Sequence, residues 1–292
     1  MYYIIFNPTA GAGRSKKVMQ AVEAQLKQKA IPYQIAETEY QKHAALLARE
    51  AIGKGYSGIL SVGGDGTLLE VAGALYNTSE TLGVIPAGTG NDFRRAISVP
   101  KDPIEALEVI LGGFSQKVDI GFLGDDLPFI NVAGTGFDVE VIRNLEKVRR
   151  SFTGGFAYFL AILLTLCKHK SIDMTLRVNG EKLHRKVLLV AVANGKAFGG
   201  GLQVAPDADV TDGLFNVLIV NQVPRRRILI ELPKLKKGRI KEISVSEQLT
   251  CSQIEIVADP PQYFEIDGDV IGQTPATLTV KPSALRVFCP RP

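Results

Sequence analysis

Ser61-Val62-Gly63-Gly64-Asp65-Gly66-Thr67 and Ile85-Pro86-Ala87-Gly88-Thr89-Gly90-Asn91-Asp92 are two apolar runs that each end in a glycine-rich acidic turn. Residues 58–62 lead into the first turn, and residues 68–76 after it carry helical periodicity. Residues 81–86 lead into the second, and Phe93-Arg94-Arg95-Ala96 follows. A short β-branched run, a glycine turn and a helical pattern make the repeating unit of a parallel α/β sheet. In such sheets ligands sit at the carboxyl ends of the strands, where these turns fall. Glycines let backbone N–H groups approach phosphate oxygens, and a helix N-terminus adds favourable partial charge. Asp65 and Asp92, each in a tight turn, are placed to hold a cation or take a proton. Ordinary loop glycines with capping aspartates would read the same way for one turn alone. Two acidic turns on successive strands favour a phosphate site.

Working outward, residues 2–6 read as a first strand, followed by the loop Asn7-Pro8-Thr9-Ala10-Gly11-Ala12-Gly13 and a helix over 15–28. The loop is neither a Walker A sequence nor a complete dinucleotide fingerprint, so by itself it is a plain βα turn. A second strand over 33–36 leads to Thr38 and a helix over 42–53, and another helix covers 102–111 with Pro103 in its first turn. From about residue 128 the texture changes. Helical patterns at 139–145 and 156–167 give way to strands at 173–178, 186–193, 214–220, 242–247, 252–257, 262–266, 276–282 and 285–288, with Asn179-Gly180 as a hairpin turn. Many strands with turn signals predict an antiparallel sandwich or barrel-like second domain.

Composition agrees with a two-domain globular protein. The chain has 292 residues, 46% hydrophobic and 22% charged, with a formal net charge of +4. That charge is too mild to argue for nucleic acid. The three cysteines, Cys167, Cys251 and Cys289, are far apart and lack metal-ligand spacing, which suits a reducing cytoplasmic compartment. The N-terminus shows no export pattern, and no apolar run reaches membrane-spanning length.

The Gly63–Thr67 and Gly88–Asp92 turns, preceded by Asn7-Pro8-Thr9-Ala10-Gly11, resemble the diacylglycerol-kinase catalytic domain, and more closely the bacterial soluble lipid kinases of the YegS type. That superfamily also holds sphingosine and NAD kinases. The resemblance covers nearly the whole chain and implies two domains. One is an α/β nucleotide-binding domain over 1–125, to which the tail 279–292 returns. The other is a mostly antiparallel β-sandwich over 126–278 for the lipid substrate. It implies ATP as phosphate donor, held by Asn7, Pro8, Thr9, Ala10, Gly11, Thr38, Gly64, Asp65, Gly66, Thr67, Leu68, Leu69, Glu70 and Thr89. A catalytic magnesium would lie near Asp65 and Asp92.

In Pro206-Asp207-Ala208-Asp209-Val210-Thr211-Asp212-Gly213 the residues alone leave a solvated acidic loop and a metal site equally open. The resemblance implies a structural Mg2+ at Asp209, Asp212 and Leu214, held through carbonyls and waters. In Phe264-Glu265-Ile266-Asp267-Gly268-Asp269 the family usually has glutamate where this chain has Asp269, the expected base for the lipid hydroxyl. Asp267 is read as holding the turn, and Asp65 is the other candidate base. The expected reaction transfers the γ-phosphate of ATP to a lipid hydroxyl, with Asp65, Asp92 and Asp269 around one triphosphate. NAD phosphorylation and non-catalytic nucleotide binding are the alternatives.

Arg143, Lys147, Arg149 and Arg150 beside the apolar stretch 152–167, with Arg225-Arg226-Arg227 and Lys234-Leu235-Lys236-Lys237, suit peripheral contact with the inner face of an anionic membrane. A buried helix with a charged rim is the other reading of 152–167. By resemblance, the second domain supports a homodimer.

Overall fold

The structure, a computed structural model, describes residues 1–148, 154–168 and 171–291. The chain divides into two compact units. The first comprises residues 1–120, 209–213 and 281–292, and the second residues 121–208 and 214–280.

In the first unit β1 (Tyr2–Phe6), α1 (Arg14–Gln28), β2 (Tyr33–Glu37), α2 (His43–Ala51), β3 (Gly58–Gly63), α3 (Asp65–Leu75) and β4 (Thr81–Pro86) alternate strand and helix. The short α4 (Phe93–Ala96), α5 (Pro103–Leu111) and the start of β5 (Ser115–Leu123) follow. Strand order is β4-β3-β1-β2, all parallel. The chain's last strand, Ala276–Phe288, adds in parallel to β4 at Arg286 and Val287. β3 is buried along its whole length, as a central strand covered on both faces must be. α1 turns Met19, Val22 and Leu26 inward, a three-four spacing that packs on Ile4, Leu60 and Ile85. Asp102 caps α5, its Oδ1 accepting the N–H of Ile104 at 2.9 Å and of Glu105 at 3.1 Å.

The second unit contains β6 (Leu127–Phe129), β7 (Val132–Gly136), α6 (Phe137–Val148), α7 (Gly154–Lys168), β8 (Ile172–Val178) and β9 (Glu181–Ala193). Then come β10 (Phe215–Asn221), α8 (Arg225–Lys236), β11 (Ser246–Cys251), β12 (Gln253–Asp259), β13 (Tyr263–Ile266) and β14 (Asp269–Gln273), before the final strand β15. Its strand pairs are antiparallel. The long β9 pairs with β8 through its first half, while its second half lies between β7 and β10. That change of partners lets one long strand link β8 at one end to β7 and β10 at the other. The hairpin between β8 and β9 turns on Asn179 and Gly180, with φ of +51° and +82°, the left-handed pair a two-residue turn requires. α7 buries Ala157, Ala161, Ile162 and Leu166 against α6, so the described part of the 152–167 stretch is a core helix with Phe159 and Leu164 exposed. Arg149 and Arg150 lie outside the described residues. Among the described residues no helix is long and apolar enough to cross a membrane.

Three expectations need correction, and one helix was not foreseen. Residues 225–236, read only as two basic clusters, form helix α8. Ion pairs from Glu231 to Arg227 (3.3 Å) and Lys234 (2.7 Å) brace it at helical spacing. The strand expected at 242–247 is instead a tight turn, Ile240–Glu242, followed by β11. Ser246 Oγ donating to the Ile243 carbonyl at 2.8 Å closes that corner. The two final strands are one continuous strand. The segment 209–213, expected in the second domain, belongs to the first unit, because Asp119 N–H donates to the Val210 carbonyl at 2.7 Å.

Candidate active site

Three turns lie side by side at the carboxyl ends of β1, β3 and β4. Asn7 joins the first two: its Nδ2 donates to Thr67 Oγ1 at 2.8 Å, while its Oδ1 accepts from Thr9 N–H (3.0 Å) and Thr9 Oγ1 (2.9 Å). Gly11 has φ +59°, and a Cβ there would stand 2.4 Å from the Ala87 carbonyl oxygen. Glycine is therefore demanded twice, by conformation and by contact. A Cβ on Gly88 would stand 2.3 Å from Gly64 Cα, so the second and third turns touch backbone to backbone.

Asp65 opens α3 and ties that helix to the third turn. Its Oδ2 accepts the N–H of Asn91 and its Oδ1 the N–H of Asp92, each at 2.7 Å. Burial, and then the neighbouring Asp92 carboxylate, push its pKa up, against the pull of those N–H groups. Asp92 is buried and has Arg95 Nε 3.4 Å from its Oδ1. Two carboxylates crowded in this way, with Arg95 beside one of them, are hard oxygen donors of the kind that suits magnesium, which takes one or two carboxylates plus phosphate oxygens.

Asn91 shapes the third turn. It has φ +51°, its Oδ1 accepts the Gly88 N–H at 3.0 Å, and its Nδ2 donates to the Gly88 carbonyl at 2.9 Å. Arg14, at the start of α1, donates to the same carbonyl. Thr89 is left exposed at the tip. Thr38 N–H donates to the Phe6 carbonyl at 2.8 Å, which sets Thr38 beside the end of β1. Pro8 and Ala10 are half-buried in the first loop, Gly66 is exposed on α3, and Leu69 is half-buried there. Thr67 and Leu68 are buried. Glu70 is occupied with structure, since its carboxylate accepts the N–H groups of Lys42 (2.9 Å) and Ala44 (3.1 Å) at the start of α2.

Asp209 and Asp212 lie in the first unit beside Asp119, a residue that no sequence pattern singles out. The Asp119 carboxylate accepts the N–H groups of Gly213 and Ser283, both at 2.7 Å. Burial comes first, with Asp212 and Asp209 adding to it, in raising its pKa. Asp209 Oδ1 accepts from Thr211 N–H and Oγ1 at 2.9 and 2.7 Å. The donor chemistry fits a hard divalent cation taking carbonyls and waters, with Leu214 the next residue after the turn.

In the second unit Asp267 holds its turn as expected. Its carboxylate accepts the N–H groups of Ile130 (2.8 Å), Asn131 (3.0 Å) and Val132 (3.0 Å). Asp269 begins β14 and is exposed. Arg14, Arg95 and Asp119 are the functional neighbours that sequence reasoning missed. Only the adjacency of Arg95 to Asp92 was a signal for any of them.

Residues 1–123 match the model of the diacylglycerol kinase catalytic domain, and residues 131–289 match the YegS C-terminal NAD kinase beta sandwich-like domain. A diacylglycerol kinase of Mycobacterium tuberculosis (strain CDC 1551 / Oshkosh) is 31% identical, covering 98% of this chain and 94% of that one. A Chromohalobacter salexigens protein named "Probable lipid kinase YegS-like" is 32% identical over 84% of this chain and 79% of its own. A crystal structure from Bacillus anthracis str. Sterne shares the fold, with TM-score 0.85, 24% identity and coverage of 99% and 94%. With both halves matched in order and the acidic turns in place, the chain belongs to the family of diacylglycerol kinases and YegS-like lipid kinases.

Proposed function

We propose that this protein transfers the γ-phosphate of ATP to the hydroxyl of a lipid, diacylglycerol in the first instance, in a magnesium-dependent reaction. The observation that carries the reading is the Asp65 clamp on the third turn. It ties the second turn to the third, with Asn7 joining the first, and sets two carboxylates where a polyphosphate and its cation would be held. Phosphoryl transfer asks a protein chiefly for positioning and charge neutralisation. The loop 7–11, the start of α3 and Thr89 offer N–H and hydroxyl donors to phosphate oxygens. Asp65 and Asp92 would hold the cation, which neutralises charge building on the transferred group when bound. The exposed Asp269 is the base that takes the proton of the lipid hydroxyl as its oxygen bonds to the γ-phosphorus and the bond to the departing ADP breaks. Aspartate is one methylene shorter than the usual glutamate and can carry out the same proton transfer. In this reading Asp209, Asp212 and Leu214 supply the oxygens of a second, structural Mg2+.

The lipid acceptor is supported by the apolar lining of a pocket in the second unit, about 80 Å³ in volume and so smaller than a typical ligand pocket as it stands. Val141, Ile162, Leu188, Phe198, Val220 and Leu235 are in its wall. A wall of this kind favours a hydrocarbon chain over a nucleotide. Ile230 and Leu229 are exposed on α8, in the same helix as Arg226 and Lys236, and that face suits contact with an anionic membrane surface.

Purified protein incubated with labelled ATP, magnesium and, separately, diacylglycerol, ceramide, sphingosine, phosphatidylglycerol or NAD tests the reading. Label in phosphatidic acid is expected. Label in NAD alone, or in nothing, would replace it with the NAD kinase or the non-catalytic alternative.

A further inference from the structure

Gly134 on β7 leaves room for two carboxyl groups that face each other inside the second unit. A Cβ built there would stand 1.7 Å from Asp138 Oδ2 and 3.1 Å from Glu265 Oε1, so a single methyl would strike one group and crowd the other. Asp138 is 5% exposed and Glu265 not at all. Neither Asp138 oxygen nor Glu265 Oε1 meets a side-chain hydrogen-bond donor among the described residues, and the backbone N–H groups of Asp138 and Val139 bear on the Asp138 carboxyl. The charged groups that bear on Glu265 are Asp138, Asp267 and Asp269, all of one sign. Arg143, farther along α6, is engaged with Glu140 and the face of Tyr263 instead. Two carboxylates this deep and this close, with no cation between them, cannot both stay ionised. The remaining oxygen of the pair is engaged with the backbone, Glu265 Oε2 accepting the Gly268 N–H at 2.9 Å. Gly268 sits in the middle of the turn that presents Asp269.

We infer that Asp138 and Glu265 share one proton, and that the shared proton makes them a positioning device for the turn carrying Asp269. An O–H···O⁻ bond between the two carboxyls fixes the Glu265 side chain. That leaves Oε2 aimed at Gly268 and sets where the next residue's carboxylate points. Without the proton, two like charges lie together in an apolar interior, and Glu265 is driven away from the turn. Its kinetic consequences rest on the proposed role of Asp269 as base; the proton itself does not.

Burial is the first cause that raises both carboxyls, and their mutual repulsion adds to it at Glu265. A carboxyl protonated in the fold but ionised in the unfolded chain stabilises the protein below its unfolded pKa. That stabilisation is lost as pH rises through the folded value. The wild-type chain should therefore lose stability with rising pH above about 4.5, where an unfolded glutamate ionises.

Full-length wild type, Glu265→Gln and Glu265→Ala are compared by denaturant midpoint between about pH 5 and 8, and by the pH profile of kcat. Glutamine fits the inferred state, because its oxygen accepts from Gly268 while its NH₂ donates to Asp138 in place of the proton. The expected result is a midpoint that falls with pH in wild type and stays nearly flat in Glu265→Gln. In Glu265→Ala kcat drops at least about tenfold with KM for ATP held, and glutamine restores most of it. A flat wild-type midpoint, or glutamine as damaging as alanine, overturns the inference. Asp269→Ala is assayed alongside. Full turnover in that variant removes Asp269 as the base, while the midpoint series judges the proton independently.

Discussion

Asp65 and Asp92 sit at the heads of two different helices, yet one grips the other's backbone: Asp65 Oδ1 accepts the Asp92 N–H at 2.7 Å. The same carboxylate takes the N–H of Asn91 through Oδ2. The two acidic side chains are thereby held in one mutual geometry despite their repulsion. A cation bound there would relieve that repulsion and meet a preformed pair of donors.

Asn91 does for the third turn what Asp65 does between turns. Asn91→Gly keeps the positive φ available but deletes both side-chain bonds to Gly88. The loss of two buried hydrogen bonds predicts destabilisation of about 1–3 kcal/mol. KM for ATP should also rise, because the turn no longer holds its N–H groups in place. Denaturant unfolding and ATP saturation curves on the same preparation check both. An unchanged KM would detach this turn from nucleotide binding.

Gly88→Ala places a methyl where Gly64 Cα already is, at 2.3 Å. The atom it strikes is backbone, not a flexible side-chain end, so the two turns must part. A stability loss of about 1–3 kcal/mol and a fall in turnover well beyond that of Gly66→Ala are expected, since a Cβ on Gly66 meets nothing within 4 Å. Equal activities for the two alanine variants would show that the touching turns have no part in catalysis.

Asp102 supplies a control remote from the phosphate-binding turns in function. Asp102→Ala removes the cap of α5 and should cost about 1 kcal/mol by denaturant unfolding. Turnover at saturating substrate should stay at the wild-type level. Turnover falling in proportion to stability would mean that the assays report folding, not the site.

Much of this was written in the chain at short range. The βα units of the first half follow from apolar runs and glycine turns, and the acidic turns could be read because their residues are adjacent. What could not be read depends on long-range closure. Asp119 meets Gly213 and Ser283 across separations of 94 and 164 residues, so nothing near position 119 announces the acidic segment's place in the first unit. Helix α8 was hidden for a different reason. Its Pro233 masks a run of otherwise good helix formers, and the pairs from Glu231 to Arg227 and Lys234 form only once the helix is wound. The Asp138–Glu265 pair likewise needed the antiparallel pairing of β7 with β13, which sets Gly134 opposite Glu265.

The most direct test measures labelled phosphate passing from ATP to diacylglycerol in the presence of magnesium, for wild type and for Asp65→Ala shown to be folded by circular dichroism. The account predicts phosphatidic acid from the wild type and a loss of at least about a hundredfold in the variant. Equal turnover by both proteins would contradict it.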